Sequence, residues 1–201
     1  MLPSIMVGLM LVAAGPDHIS ILPLGTISPR VIRVLRRELG TRFHIAVQVL
    51  PAETTPEYAF RWVRGQYCSP VILDTLARRL AGLRGQSGEK GNGRLLAVSD
   101  VDLYAEDLDF VFGQADLVDR VAVVSLTRLR EEFYHRPASQ SRFLSRAVRE
   151  AVHELGHTYA LTHCPDPHCV MFFSNRLADT DRKSSDFCAR CRAKLPAPRR
   201  R

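Results

Sequence analysis

Residues 140–164 read QSRFLSRAVREAVHELGHTYALTHC, and their pattern decides the fold. Phe143, Leu144, Ala147, Val148, Ala151, Val152 and Leu155 recur with a helical period, which predicts an amphipathic helix over 140–157. His153 and His157 are four residues apart on that helix, so they share one face. Two imidazoles so placed suit one zinc ion, and Glu154 points beside the metal rather than onto it. This is the HExxH arrangement, whose glutamate acts as general base. It would take a proton from a water that the metal has already made acidic.

His163 comes six residues after His157. A continuous helix would carry it out of line, so the chain must turn after about Tyr159 to bring it to the metal. Three neutral nitrogen ligands leave a fourth position for water, as a catalytic zinc requires.

Downstream, Cys164 and Cys169 form C-x4-C, and Cys188 and Cys191 form C-x2-C, with eighteen residues between the pairs. Paired knuckles at this separation point to a structural zinc held by four thiolates. Two disulfides or four reduced core cysteines are the alternatives. Cysteines three apart rarely pair with each other, and the surrounding sequence is polar. His168 reads as a loop residue that could substitute as a ligand, and Cys68 as a small buried hydrophobe. Because His163 and Cys164 are adjacent, the four-cysteine site would pin the segment that delivers the third histidine.

Upstream of the helix, residues 18–24 and 44–50 read as strands, with Leu95–Ser99 as a third. Phe110–Gly113 and Val121–Leu126 read as two more, separated by a turn around Asp116–Asp119. A helix over 29–39 starts at Pro29 after Ser28 and stops at Gly40; a second runs from Val71 to Leu83 and ends near Gly85. A Gly, Ser and Asn loop follows over 85–93. Strands alternating with helices predict an α/β fold: a twisted, partly parallel sheet of about five strands with two or three helices. The last forty residues carry little regular pattern, and metal would stabilise them. The expected organisation is an extension over 1–16, one catalytic domain over 17–195 and a basic tail over 196–201. Within the domain, 17–158 carries the sheet and helix, and 159–195 the irregular metal-bound part.

The chain has 201 residues and a net charge of +7. Its arginines are scattered and no aromatics interleave with them, which argues for a solvated basic surface rather than nucleic-acid binding. Residues 5–14 are apolar but shorter than the roughly 20 residues of a membrane span. No Lys or Arg precedes them, so they read as an extension rather than a signal peptide.

His153-Glu154-x-x-His157-x-x-Ala160-x-x-His163-Cys164-x4-Cys169-x-Met171, then Cys188-x2-Cys191, resembles the archaemetzincins, a branch of the metzincin metallopeptidases. The upstream order of elements and the segment Asp109–Gly113 are similar too. The resemblance implies a zincin-like fold and a zinc metallopeptidase, either aminopeptidase or endopeptidase, carrying one catalytic and one structural zinc. It implies that Met171 is the Met-turn residue beneath the histidines. Phe110, Val111, Phe112 and Gly113 would form the sheet edge where an extended peptide substrate adds as a strand. It also implies a cytoplasmic protein, read here as a monomer. The alternative is a catalytically silent zinc protein that binds a partner or nucleic acid; Glu154 argues against it, since a structural site needs no base.

Two departures stand out. The family has glycine where this chain has Ala160, and the left-handed backbone such a turn uses costs alanine on the order of 1 kcal/mol. Some metzincins place a tyrosine shortly after the methionine, where this chain has Phe172 and Phe173. Tyr159 and Tyr134 remain as candidate donors to the transition state.

Overall fold

Leu95–Ser99 and Val121–Ser125 are apolar runs without alternation because both faces of these strands are covered, as in a parallel sheet between helices. A computed structural model describes residues 17–87 and 93–196. Its elements in chain order are β1 (His18–Leu24), α1 (Pro29–Phe43), β2 (Ala46–Val49), β3 (Phe60–Arg61), β4 (Gln66–Cys68), α2 (Ser69–Ser87), β5 (Arg94–Ser99), β6 (Leu103–Tyr104), β7 (Gly113–Asp116), β8 (Val121–Ser125), α3 (Gln140–Thr158), α4 (Leu177–Arg182) and α5 (Ala189–Arg192).

The main sheet has the order β2-β1-β5-β8-β7. Its strands are parallel except β7, which pairs antiparallel with β8. Alternate residues sort to its two faces. Ile19, Ile21, Leu96, Val98, Ala122 and Val124 join one apolar cluster with Val31, Leu35 and Leu39 of α1 and Ala147, Ala151 and Val152 of α3. Leu22, Leu24, Leu95, Ala97, Val121 and Val123 join the other with Ile72, Leu76 and Leu80 of α2. The result is three layers, with α3 beside α1 and alongside β8 and β7. Among the described residues, no helix is long and apolar enough to cross a membrane.

Several expected boundaries move. Helix α1 passes through Gly40 and ends at His44, whose φ of 55° turns the chain, so β2 starts only at Ala46. Helix α2 runs past Gly85 to Ser87, and residues 88–92 of the expected loop lie outside the described residues, as do the 1–16 extension and 197–201 of the tail. The expected strand Phe110–Gly113 is displaced: the edge strand begins at Gly113, where that run was to end. Phe112 is buried and Phe110 half-buried, so their aromaticity reflects packing beside the cleft. The true edge, with Gln114 and Asp116, is half-exposed and reads as polar. The small sheet β3-β4-β6 and the short helices α4 and α5 carry too few residues to show a period.

Candidate active site and metal centres

Helix α3 presents His153 and His157 one turn apart, as their spacing requires. The Nδ1–H of His153 donates to the carbonyl of Val170 at 2.8 Å, and that of His157 to the carbonyl of Leu161 at 2.7 Å. A carbonyl only accepts, so each ring carries its proton on Nδ1 and leaves Nε2 bare. The two Nε2 atoms stand 3.1 Å apart. Burial, with the charge of Lys183 next, pushes His153 well below the ordinary imidazole value, and burial likewise lowers His157 and His163. Neutral nitrogens facing one another this closely repel unless a shared cation sits between them. His163 completes the group, its ring centroid 4.9 Å from that of His157, with ligand atoms of all three within 4.8 Å of one another. The donor set fits zinc.

The turn that delivers His163 is a complete Schellman motif. The N–H of Ala160 donates to His157 O at 2.9 Å, and that of Leu161 to Gly156 O at 3.2 Å. Ala160 takes φ +63°, the left-handed angle that glycine adopts freely. Leu161 is buried in the core, so apolar burial anchors the strained residue.

Two glycines shape the centre: Gly113, expected at the sheet edge, and Gly156, which no sequence pattern singled out. A β-carbon on Gly156 would run into the sulfur of Met171, which is fully buried beneath the helix. A β-carbon on Gly113 would lie 2.6 Å from Glu154 Cγ and 2.8 Å from Val123 O. Glu154 is therefore wedged between α3 and the edge strand β7, only 6 % exposed. Burial, reinforced by the nearby Glu150, pushes its carboxyl well above the usual range, against an opposing pull from Lys183.

Lys183 is the largest residue missed. It is fully buried, with Nζ 3.0 Å from Glu150 Oε1 and 3.4 Å from Phe172 O. Thr180 donates to the same carboxylate oxygen at 3.0 Å. This pair joins α3, one turn before Glu154, to the segment after Met171. A lysine in a polar stretch reads as exposed, so no pattern announced it.

Cys164, Cys169, Cys188 and Cys191 come together, their Sγ atoms within 4.8 Å of one another. All are free thiols, which sets aside the disulfide alternative. Cys164 Sγ and Cys188 Sγ are 3.8 Å apart, the edge of a tetrahedron with about 2.3 Å metal–sulfur bonds. The N–H of Cys188 points at Cys169 Sγ from 3.4 Å, and the Arg190 guanidinium donates to Cys164 Sγ at 3.3 Å. Cys188 is held down to about 7, chiefly by the backbone N–H of Cys191, while burial raises Cys169 and Cys191. Donor type, number and spacing fit a closed zinc site. His168 is exposed and stands outside the group.

Two recesses open on the centre. One of about 510 Å³ lies before the three histidines, between Gln114 and Ala115 of β7 and Thr162. The other, about 210 Å³, lies beside Glu154 and His153. Phe110, Val111, Phe112 and Gly113 all line the smaller one. Neither candidate tyrosine lines either recess. Tyr159 gives its hydroxyl to Asp17 at 3.3 Å and Tyr134 to Arg128 O at 3.1 Å.

Comparison with known proteins bears on this arrangement. The model of "Peptidase family M54" matches residues 31–197. An archaemetzincin of Methanocaldococcus jannaschii is 37% identical over 178 residues, covering 89% of this chain and 92% of that protein. The solved structure of a zinc-dependent peptidase from Methanocorpusculum labreanum superposes with a TM-score of 0.80 at 31% identity, covering 89% of this chain and all of that one. The archaemetzincin of Methanopyrus kandleri gives 0.73 at 37% identity, covering 92% and 97%. The chain belongs to peptidase family M54, the archaemetzincin family of zinc metallopeptidases.

Proposed function

We propose that the chain hydrolyses peptide bonds with one zinc held by His153, His157 and His163 and with Glu154 as the proton carrier. The observation that carries this reading is the convergence of bare, neutral histidine nitrogens beside a buried carboxylate at the floor of a cleft. When bound, zinc supplies Lewis-acid activation of a water and of the scissile carbonyl.

The protein's own groups do the rest. Glu154 takes the proton of the attacking water on its carboxylate and passes it to the nitrogen of the leaving amine. The raised proton affinity that burial gives the carboxyl suits both halves of that transfer. The extended substrate lies along β7, whose outer edge is unpaired in the sheet order, rather than along Phe110–Gly113 as a whole. Met171 forms the apolar floor under the helix. A second, structural zinc on the four cysteines holds residues 159–195 against the sheet and helix. Four reduced thiols suit a cytoplasmic protein. All residues of the site come from one chain, so a monomer suffices. The silent alternative leaves the buried Glu154 at the cleft without a task. Digestion of a peptide library by the zinc-loaded chain, with Glu154→Gln as control, tests the reading.

A further inference from the structure

Ala160 takes φ +63°. A residue other than glycine keeps such an angle only where its surroundings over-determine it. Downstream, the buried Leu161 and Cys164 fix the chain. Upstream, the fixing falls to Tyr159, which stands between the helix that carries His157 and the turn that delivers His163.

Three segments close on the Tyr159 ring. The guanidinium of Arg94, the first residue of β5, lies 3.4 Å from the ring centroid. Phe43, the last residue of α1, stacks on it with centroids 5.3 Å apart and planes at 18°. The phenol hydroxyl donates to Asp17 Oδ2 at 3.3 Å, and the other oxygen of that carboxylate accepts from Arg94 Nη1 at 2.7 Å. Asp17 thus sets Arg94 against the ring. A mostly buried cation–π contact and a stacked pair together match in size the strain that alanine carries at this angle. Tyr159 lines neither recess, so its place is behind the metal centre rather than against a substrate.

We propose that Tyr159 is a positioning residue for zinc at the three histidines: clamped by Arg94, Phe43 and Asp17, it holds the end of α3 so that Ala160 keeps the angle that returns His163 to the other two. The inference rests on the zinc reading above. It makes the clamp the counterpart of the alanine, since glycine would take the angle unaided and need no clamp.

A double-variant cycle separates this role from plain packing. Zinc is titrated into the full chain, with the four-cysteine site already filled, for the parent, Tyr159→Leu, Ala160→Gly and the two changes combined. Tyr159→Leu should weaken zinc at the histidines about tenfold, the size of the strain it releases. With Ala160→Gly present, the same change should cost less than about twofold. Tyr159→Phe keeps the ring against Arg94 and Phe43 and should recover parental binding. Unchanged affinity in Tyr159→Leu, no recovery in Tyr159→Phe, or an equal loss with and without Ala160→Gly overturns the proposal. Should Tyr159→Leu not fold, Arg94→Lys carries the same cycle, because it keeps a charge for Asp17 and loses the planar stack. A loss that Ala160→Gly suppresses then supports the clamp, and an equal loss or none overturns it. A parent that takes up no zinc at the histidines refutes the metal reading and the proposal with it, whereas additive losses in a zinc-binding parent refute the proposal alone.

Discussion

The backbone N–H of Cys164 donates to the carbonyl of Met171 at 2.8 Å. One bond thus ties a cysteine of the four-thiol group, itself adjacent to His163, to the residue under the histidine-bearing helix. The neighbouring carbonyl of Val170 holds His153. The three-histidine group and the four-thiol group are therefore mechanically one unit.

Removing the structural metal should loosen the catalytic one. Cys188→Ser should lose one zinc and make residues after about 158 sensitive to limited proteolysis. It should also weaken zinc at the histidines, because His163 and the Val170 carbonyl lose their support. Metal analysis with proteolysis checks this. A variant as resistant as the parent would refute the structural role.

Lys183→Met should be among the most damaging single changes outside the metal ligands. It leaves the Glu150 carboxylate buried without its cation, and breaking a buried pair in this way costs about 3–5 kcal/mol. Denaturant unfolding measures the loss. Glu150→Gln combined with Lys183→Met removes both charges and should recover much of the stability. If the double variant is no more stable than the single one, the uncompensated charge is not the cause.

Ala160→Gly bears on the turn. At φ +63° the alanine carries about 1–2 kcal/mol of strain, against about 0.4–1 kcal/mol of extra chain entropy that glycine brings to the unfolded state. Relief of strain should win, giving a variant at least as stable that binds zinc at the histidines at least as tightly. Zinc titration with the four-cysteine site already filled decides, and weaker binding together with lower stability would contradict the strained geometry.

Much of this centre was readable in the residues. The 140–157 stripe gave α3 nearly to the residue because a long amphipathic helix repeats its period many times, and fixed spacing on that helix placed His153, Glu154 and His157. The cysteine pairs were equally plain, since four thiols in two knuckles have few other uses. The edge strand was not readable: β7 is short, polar and half-exposed, while the apolar run just before it serves the cleft wall. Lys183, Glu150 and Gly156 were invisible because their roles exist only between segments distant in sequence; Gly113 was read as an edge residue, but its close packing on Glu154 was not.

With the histidine site emptied of metal and the four-cysteine site filled, the protein should lose stability in mild acid. Burial depresses the three histidines below the ordinary 6.5, so from 6.5 down to their folded values the unfolded chain binds more protons. Their contribution is present above 6.5 and is lost as pH falls below it. Glu154 acts in the opposite sense: with its folded value raised, its contribution is present below the ordinary 4.5 and is lost as pH rises through the folded value. Three groups outweigh one, so thermal midpoints of this form should fall between about pH 7 and pH 5. A shallower slope in His153→Phe than in the parent would assign the effect to the histidines; midpoints that rise toward acid would show that Glu154 dominates.

The most direct measurement is the rate of peptide-library cleavage by fully zinc-loaded protein beside equally loaded Glu154→Gln. General-base assistance is worth roughly 10²–10⁴-fold. The parent should cut, and the variant should be slower by that factor with both metals still bound. Equal rates at equal metal content would show that Glu154 does not carry the proton.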